Sequence, residues 1–280
     1  MKRKCAAIGF GLAFALGLGI SLAQFQTARE AESNSVGTPN WTNDPAFKKD
    51  VFTFVRIKYK VDGAHGFGHN PEERWKIDFP DSDLNFSFRL QQMTSLKVDP
   101  DGRVLELTDT NLFDYPFIYI VEPGRLTLSD EEASILRRYL ENGGFAMFDD
   151  FWGDREWIGF HKEIKKVFPN REIVDLPLEH PIFHCVFDLK EKPQVPGIEW
   201  GIASQVTGLT YEQNHGPGAQ EVHYRAIYDD KGRIMVMICH NTDLGDGWER
   251  EGESEYYFHE FSEKKAYPLG INIVFYAMTH

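Results

Sequence analysis

Cysteine is scarce in this chain, with three among 280 residues. A framework of several disulfides is therefore excluded, and so are cysteine-rich zinc modules, which need ligand thiols in spaced pairs. None of the three has the Gly-x-Cys-x-Gly flanks of a nucleophile elbow. Positive charge is also short. Thirty Lys and Arg against 43 Asp and Glu give a formal net charge of −13. No basic stripe interrupts this, so the surface repels phosphate backbones and the sequence argues against nucleic acid as a partner. After residue 23 no apolar run is long enough to span a membrane, and no internal repeat is present.

The one long apolar run opens the chain. Lys2, Arg3 and Lys4 precede an uncharged stretch from Cys5 to Ala23, and Ser21-Leu22-Ala23 closes it with small residues. This is the three-part pattern of a secretory signal peptide, so residues 1–23 are expected to be removed and the rest to be periplasmic or secreted. An uncleaved anchor is the competing reading, and the membrane would then be touched only through this segment. Gly9, Gly11, Gly17 and Gly19 favour cleavage. Cys5 precedes the apolar part and is badly placed for a lipoprotein cysteine. Loss of Lys2, Arg3 and Lys4 takes the formal charge from −13 to −16. Residues 24–48 are polar and without periodicity, and read as a disordered spacer. Residues 49–280 then form a single domain. Of its two cysteines, Cys185 and Cys239, both lie in apolar strand-like contexts; a disulfide and two buried free thiols both remain open.

Hydrophobic spacing predicts the elements. Residues 51–60 read as a strand and 61–80 as a long loop. A helix follows from Asp81 or Ser82 to about Leu96. Val104 to Leu107 is a short strand. Phe117 to Val121 and Gly144 to Phe148 are near-continuous apolar runs, as expected of strands covered on both faces. Between them, Ser129 and Glu132 form a capping box ahead of Ala133, Leu136 and Leu140 at helical spacing. A helix from about Asp154 to Phe168 and a strand from Glu172 to Leu176 come next. Residues 188–222 break the rhythm and read as an insertion. Tyr224 to Tyr228 and Ile234 to Cys239 flank the turn signal Asp229-Asp230-Lys231-Gly232 and predict a hairpin. Leu269 to Met278 closes as a helix. Alternating strands and helices predict an α/β class, a mostly parallel sheet with helices on both faces.

In such sheets ligands bind at the carboxyl ends of the strands. Four polar clusters are placed to fall there. The first is the loop holding His65 and His69, continuing to Trp75, Asp78, Asp81, Asp83 and Asn85. The second is Asp149-Asp150-Phe151-Trp152-Gly153. The third is His180 to His184. The fourth runs from His240 and Asn241 through Asp243 to Trp248 and Glu249.

On these residues the chain resembles a bacterial family of unknown function, number 4159, with a class I glutamine-amidotransferase-like (ThuA-like, flavodoxin-like) fold. The resemblance rests on Phe54 to Tyr59, Trp75 to Asn85, Tyr139 to Gly153, His180 to His184, the distinctive Asn241-Thr242-Asp243-Leu244-Gly245-Asp246-Gly247-Trp248-Glu249, and the Gly270-Ile271-Asn272 to Tyr276 tail. It implies a fold but no activity. Working amidotransferases carry the elbow cysteine where this chain has Asp149-Asp150, so glutaminase chemistry is not expected. A carboxylate at a helix amino end is expected to have a lowered pKa, which suits a metal ligand or hydroxyl acceptor rather than a general acid.

Each cluster also has a plain structural reading. Asp149 and Asp150 are equally placed to cap a helix. His65 and His69 sit in a glycine-rich loop, and a divalent metal there would need a third ligand such as Asp78, Asp83 or His184. His180 and His184 suit buried histidines bonded to backbone. Asp243, Asp246 and Glu249 offer oxygens for calcium, but their spacing is not that of the twelve-residue calcium loop. Asn241 or Asp243 capping a short turn, with Trp248 on the core, accounts for the same residues. Trp75, Trp152 and Trp248 would suit a sugar if they lined one groove, and would otherwise fill the core. Two functions follow. The first is a binding domain without catalysis, holding a small polar or carbohydrate ligand, or an envelope protein, through Asp149, Asp150, Trp152, Trp75, Asp78, Asp83, Asn85, Asn241, Asp243, Trp248 and Glu249, with no obligate cofactor. The second is a carbohydrate- or cell-wall-directed hydrolase using carboxylates or a His/Asp metal site.

Overall fold

Five consecutive apolar residues, Phe117–Val121, form a strand with every side chain buried, and Phe145–Asp149, four apolar residues and an aspartate, form its parallel neighbour. Strands covered on both sides need a layer of helices above and below. The computed structural model, which describes residues 25–47, 50–61 and 71–280, supplies both layers. The central sheet has seven strands: β1 Val55–Ile57, β2 Arg103–Leu105, β3 Phe117–Val121, β4 Phe145–Asp149, β5 Val174–Asp175, β6 His223–Tyr228 and β7 Ile234–His240. Their spatial order is β2-β1-β3-β4-β7-β6-β5. β6 alone runs against the rest, as the predicted hairpin with β7 requires. The protein is thus a mixed α/β domain with a mostly parallel sheet.

Alternation survives inside these apolar runs. Phe117, Tyr119 and Val121 face one core, shared with helices α1 (Asp81–Met93) and α6 (Tyr267–Thr279). Ile118 and Ile120 face the other, shared with α2 (Asp130–Glu141) and α3 (Gly153–Val167). Each large apolar side chain so buried contributes about 1.5–3 kcal/mol. Helix α2 begins as predicted: Ser129 Oγ accepts from Glu132 N, and the Glu132 carboxylate accepts from Ser129 N at 2.8 Å.

Three expectations differ in detail. The strand predicted over 51–60 is broken into three pieces, because Val51–Phe52, Val55–Ile57 and Lys60–Val61 each pair in a different sheet. The break comes from partners, not propensity. Within residues 188–222 lies a regular helix, α4 (Ile198–Thr207), ending at Gly208 in the left-handed conformation. The stretch read as a disordered spacer also differs: residues 25–47 lie along the domain. Ala28 is buried, Arg29 reaches the carbonyls of Thr38 and Pro100, and Trp41 Nε1 donates to Val98 O at 2.8 Å. Segments poor in apolar residues can dock in this way when side chains and backbone find fixed polar partners. Residues 1–23, read above as a signal peptide, and the loop carrying His65 and His69 lie outside the described residues.

A buried ion pair fixes the segment between β1 and α1. Arg56, on β1, is fully buried; its Nε and Nη2 donate to the Asp83 carboxylate at 3.0 and 2.5 Å. Nη1 donates to the carbonyls of Trp75 and Ile77 at 3.0 and 2.9 Å, and Nη2 also to Ser82 Oγ. One guanidinium therefore holds residues 75–83 against the sheet, and Asp78 with them.

Candidate functional site

Carboxylates gather where strands end. Glu122 follows β3 directly, Asp150 follows β4 directly, and Asp243 stands three residues beyond β7. Asp78 arrives from the segment that Arg56 pins. Together with Asp246 and Glu249 they open on one cavity of about 480 Å³. Its remaining wall includes Glu156 from α3, Glu212 and His215 from the 188–222 stretch, and the cations Arg74, Lys76 and Arg250. Eight carboxyl groups face three Lys or Arg side chains, so the cavity is acidic and becomes net negative as those carboxyls ionise.

The backbone here is unusual. Asp78, Glu122, Asp150 and Asn241 have φ of 62°, 45°, 58° and 62°. They are the four non-glycine residues in the left-handed region among the described residues, and all adjoin this edge. That conformation is unfavourable by roughly 1–2 kcal/mol for ordinary residues and is gentlest for Asp and Asn. Such outliers gather at functional edges, where surrounding contacts hold them.

Hydrogen bonds order the wall. Trp152 Nε1 donates to Asp150 Oδ1 at 3.1 Å. The Asp243 side chain caps the short helix α5 (Leu244–Glu249), accepting from Asp246 N at 2.7 Å. Asp246 accepts from Arg250 Nε at 2.8 Å and from Ile198 N. Arg74 pairs with Glu122 at 2.7 Å, and Gly197 N donates to Glu212 at 3.0 Å. Oxygens of Asp78, Asp150 and Asp243 come within 4.8 Å of one another, and so do those of Asp78, Asp246 and Glu249.

Withdrawal from water sets the protonation of these groups. Burial, reinforced by neighbouring carboxylates, pushes Asp78, Asp150 and Asp243 well above the ordinary carboxylate range. Burial pushes Glu122 up to about 7 against the pull of Arg74, Glu212 up to about 7, and Glu249 up to about 8 against Arg250. A carboxyl group with a raised folded pKa binds more protons in the native state. Its contribution to stability is therefore full below about pH 4.5 and lost as pH rises through about 7 to 8. The protein free of any cavity ligand is expected to melt at progressively lower temperature from about pH 5.5 to about pH 8.5. Calorimetry across that range checks it; a rising Tm would mean that solvent, not burial, governs these charges.

The sequence-derived candidates divide. Asp78, Asp150, Trp152, Asp243 and Glu249 line the cavity. Six others stand behind it. Asp149 is fully buried, and its Oδ2 accepts from Tyr119 Oη, Leu244 N and Gly245 N at 3.0, 3.0 and 3.1 Å. It ties β3, β4 and α5 together. Its pKa is pushed up to about 7, not down, because burial outweighs those donors. Neither aspartate caps α3: Trp152 occupies that position, and its backbone N–H bonds to Glu156. Asp83 is paired with Arg56, and Asn85 donates to Trp248 O at 2.9 Å. Asn241 accepts from Gly153 N and donates to the carbonyls of Gly218 and Glu221. Trp75 packs on Phe79, and Trp248 on Phe86 and Tyr119, so the three tryptophans do not share a groove. Trp152, only 2 % exposed, presents no open face for a sugar ring.

His180 and His184 lie elsewhere. His180 Nδ1 accepts from Ile182 N, and its Nε2 meets Tyr228, which pairs with the first residue of β7 at the opposite edge of the sheet. His184 sits between Asp188 and Leu178 O. The two cysteines among the described residues are free thiols: Cys239 is buried in β7, and Cys185 reaches Asn272 O. Sequence reasoning missed Glu122, Glu156, Glu212 and Arg74. Glu122 had a signal, since it directly follows a buried strand; Glu212 had none.

Residues 53–278 match the sequence model of the family described as Domain of unknown function (DUF4159). No curated protein matches the chain.

Proposed function

The chain belongs to the DUF4159 family across most of its length, and from the geometry above we propose that it is a binding domain without catalysis, holding a small polar ligand in the acidic cavity. The observation that carries this reading is the acidic cavity at the carboxyl edge, walled by eight carboxyl groups from five separate stretches of chain. Among the described residues that wall holds no cysteine or serine, and its single histidine pairs with Glu212 at 3.5 Å. Such a wall favours a cation or a donor-rich molecule and repels phosphates and carboxylates. The strand order, beginning β2-β1-β3-β4, supports a flavodoxin-like, class I glutamine-amidotransferase-like scaffold, and in that arrangement ligands sit where β1 and β3 diverge. The leading basic and apolar residues of 1–23 support export to the periplasm or beyond.

One observation favours the second reading, a hydrolase. Glu122 and Glu212 hold their protons near neutrality, as a general acid must. A thermal-shift and calorimetric screen of hydroxylated, amine and divalent-metal ligands separates the two. Binding that is weakened by Asp150→Asn, with no turnover of chromogenic glycosides or cell-wall fragments, upholds the binding domain. Turnover abolished by Glu122→Gln or Glu212→Gln replaces it with the hydrolase.

A further inference from the structure

Resting on the reading of this cavity as a ligand site, we propose that it binds a divalent cation, Ca²⁺, through the carboxylates of Asp78, Asp150 and Asp243. Their oxygens lie within 4.8 Å of one another. A cluster of carboxylates alone would be weak ground; the second observation is Asp78 itself. It is 8 % exposed, lines the cavity, and its Oδ2 is buried with no hydrogen-bond partner. A carboxylate oxygen taken out of water with nothing opposite it is unfavourable unless a counter-ion meets it.

The other two carboxylates are half-committed. Asp150 gives one oxygen to Trp152 Nε1 and Asp243 gives one to Asp246 N. Among the described residues no hydrogen bond occupies the second oxygen of either. The nearby guanidiniums are engaged elsewhere, Arg74 with Glu122 at 2.7 Å and Arg250 with Asp246 and Glu249 at 2.8 Å each.

Those contacts also decide between the two converging trios. Asp78, Asp246 and Glu249 also converge, but Arg250 already pairs with both Asp246 and Glu249, and Ile198 N takes the other oxygen of Asp246. The trio with Asp150 and Asp243 has no such competitor. All donors are hard oxygens, which selects an alkaline-earth ion over zinc or copper. Three carboxylates on irregular backbone suit Ca²⁺, larger and geometrically more tolerant than Mg²⁺.

The test uses the purified full chain, stripped with chelator and titrated with Ca²⁺ by calorimetry and thermal shift. One ion per chain is expected, with a Tm rise of roughly 5–10 °C at about 100 times Kd. Asp78→Asn, Asp150→Asn and Asp243→Asn should each weaken binding on the order of 100-fold, whereas Asp246→Asn, which removes a wall charge but no ligand oxygen, should weaken it by less than about 10-fold. Asparagine tolerates the left-handed backbone of residues 78 and 150 and can still cap α5 at 243, so these variants should keep the fold. Each removes one of several crowded charges, so without cation each should melt at or above the parent at about pH 8. A readout free of variants at the ligands is terbium luminescence excited through tryptophan. It should appear on addition of Tb³⁺, be displaced by Ca²⁺, and fall in Trp152→Phe.

Ca²⁺ binding that survives all three Asn variants, or is lost only in Asp246→Asn, would overturn the assignment. So would Mg²⁺ binding tighter than Ca²⁺. If no cation binds but a hydroxylated or amine probe does, and Asp150→Asn abolishes it, the cation is wrong and the binding cavity stands. If neither binds, both fail.

Discussion

Exchanging Arg56 for methionine is expected to destabilise the protein by about 3–5 kcal/mol. The guanidinium is fully buried and meets a carboxylate, two carbonyls and a hydroxyl, while its plane lies over Tyr119 at 5.1 Å. Methionine fills much of the volume but leaves Asp83, itself 1 % exposed, charged and unpaired. That orphaned charge, more than the lost attraction, sets the size of the effect. Replacing both partners, Arg56→Met with Asp83→Leu, should recover a large part of it, because a buried pair exchanged for apolar groups is often nearly neutral. Urea denaturation of the two single variants and the double variant gives the cycle. A double variant no more stable than Arg56→Met would locate the effect in the carbonyls of Trp75 and Ile77 instead. Cavity-ligand binding should weaken in the single variant, since residues 75–83 carry Asp78.

The second large effect concerns Gly245. Alanine is ordinarily the better helix residue by about 1 kcal/mol. Here a Cβ would stand 2.3 Å from Asp78 Oδ2 and 2.9 Å from Tyr119 Oη. Gly245→Ala should therefore destabilise by about 3 kcal/mol, the upper end for overpacking, and displace the Asp78 carboxylate. The offending atom belongs to one side chain, so Asp78→Gly in the Gly245→Ala background should restore most of the stability without restoring binding. Thermal denaturation of the three proteins checks this. If the pair is no better than Gly245→Ala, the obstruction is Tyr119, and Tyr119→Phe becomes the relieving change.

Much of this architecture was legible because it rests on local chemistry. The strand Phe117–Val121 and the Ser129–Glu132 capping box are written in consecutive residues, and the hairpin of β6 and β7 in its turn. The broken strand at 51–61 was not legible, because partner strands distant in sequence decide where pairing stops. The site shows the same division. Asp150 and Asp243 stand where chain order alone puts the ends of parallel strands. Asp149 and Asp150 look alike in sequence, yet alternation turns the first under Tyr119 and α5 and a left-handed turn lifts the second into the cavity. Glu212 reaches the wall only through the tertiary path of residues 188–222. Trp75 and Trp248 were ambiguous from the start, since large aromatic rings serve cores and binding surfaces equally well.

The outer strands have a bearing on how this molecule behaves in a crowd of its own copies. A sheet margin with long runs of free amide and carbonyl groups invites a second chain to add on, the first step toward fibrils. Here β2 offers three residues and β5 two. On the β2 side the N–H of Val104 is already bonded to Gln26 O at 2.9 Å, and that of Ala28 to Asp101 O. On the β5 side Asp175 places a charge among Arg225 and His223. Both margins are short, which disfavours templating of another strand, so concentrated solutions of the folded protein should resist cross-β association without help from a binding partner.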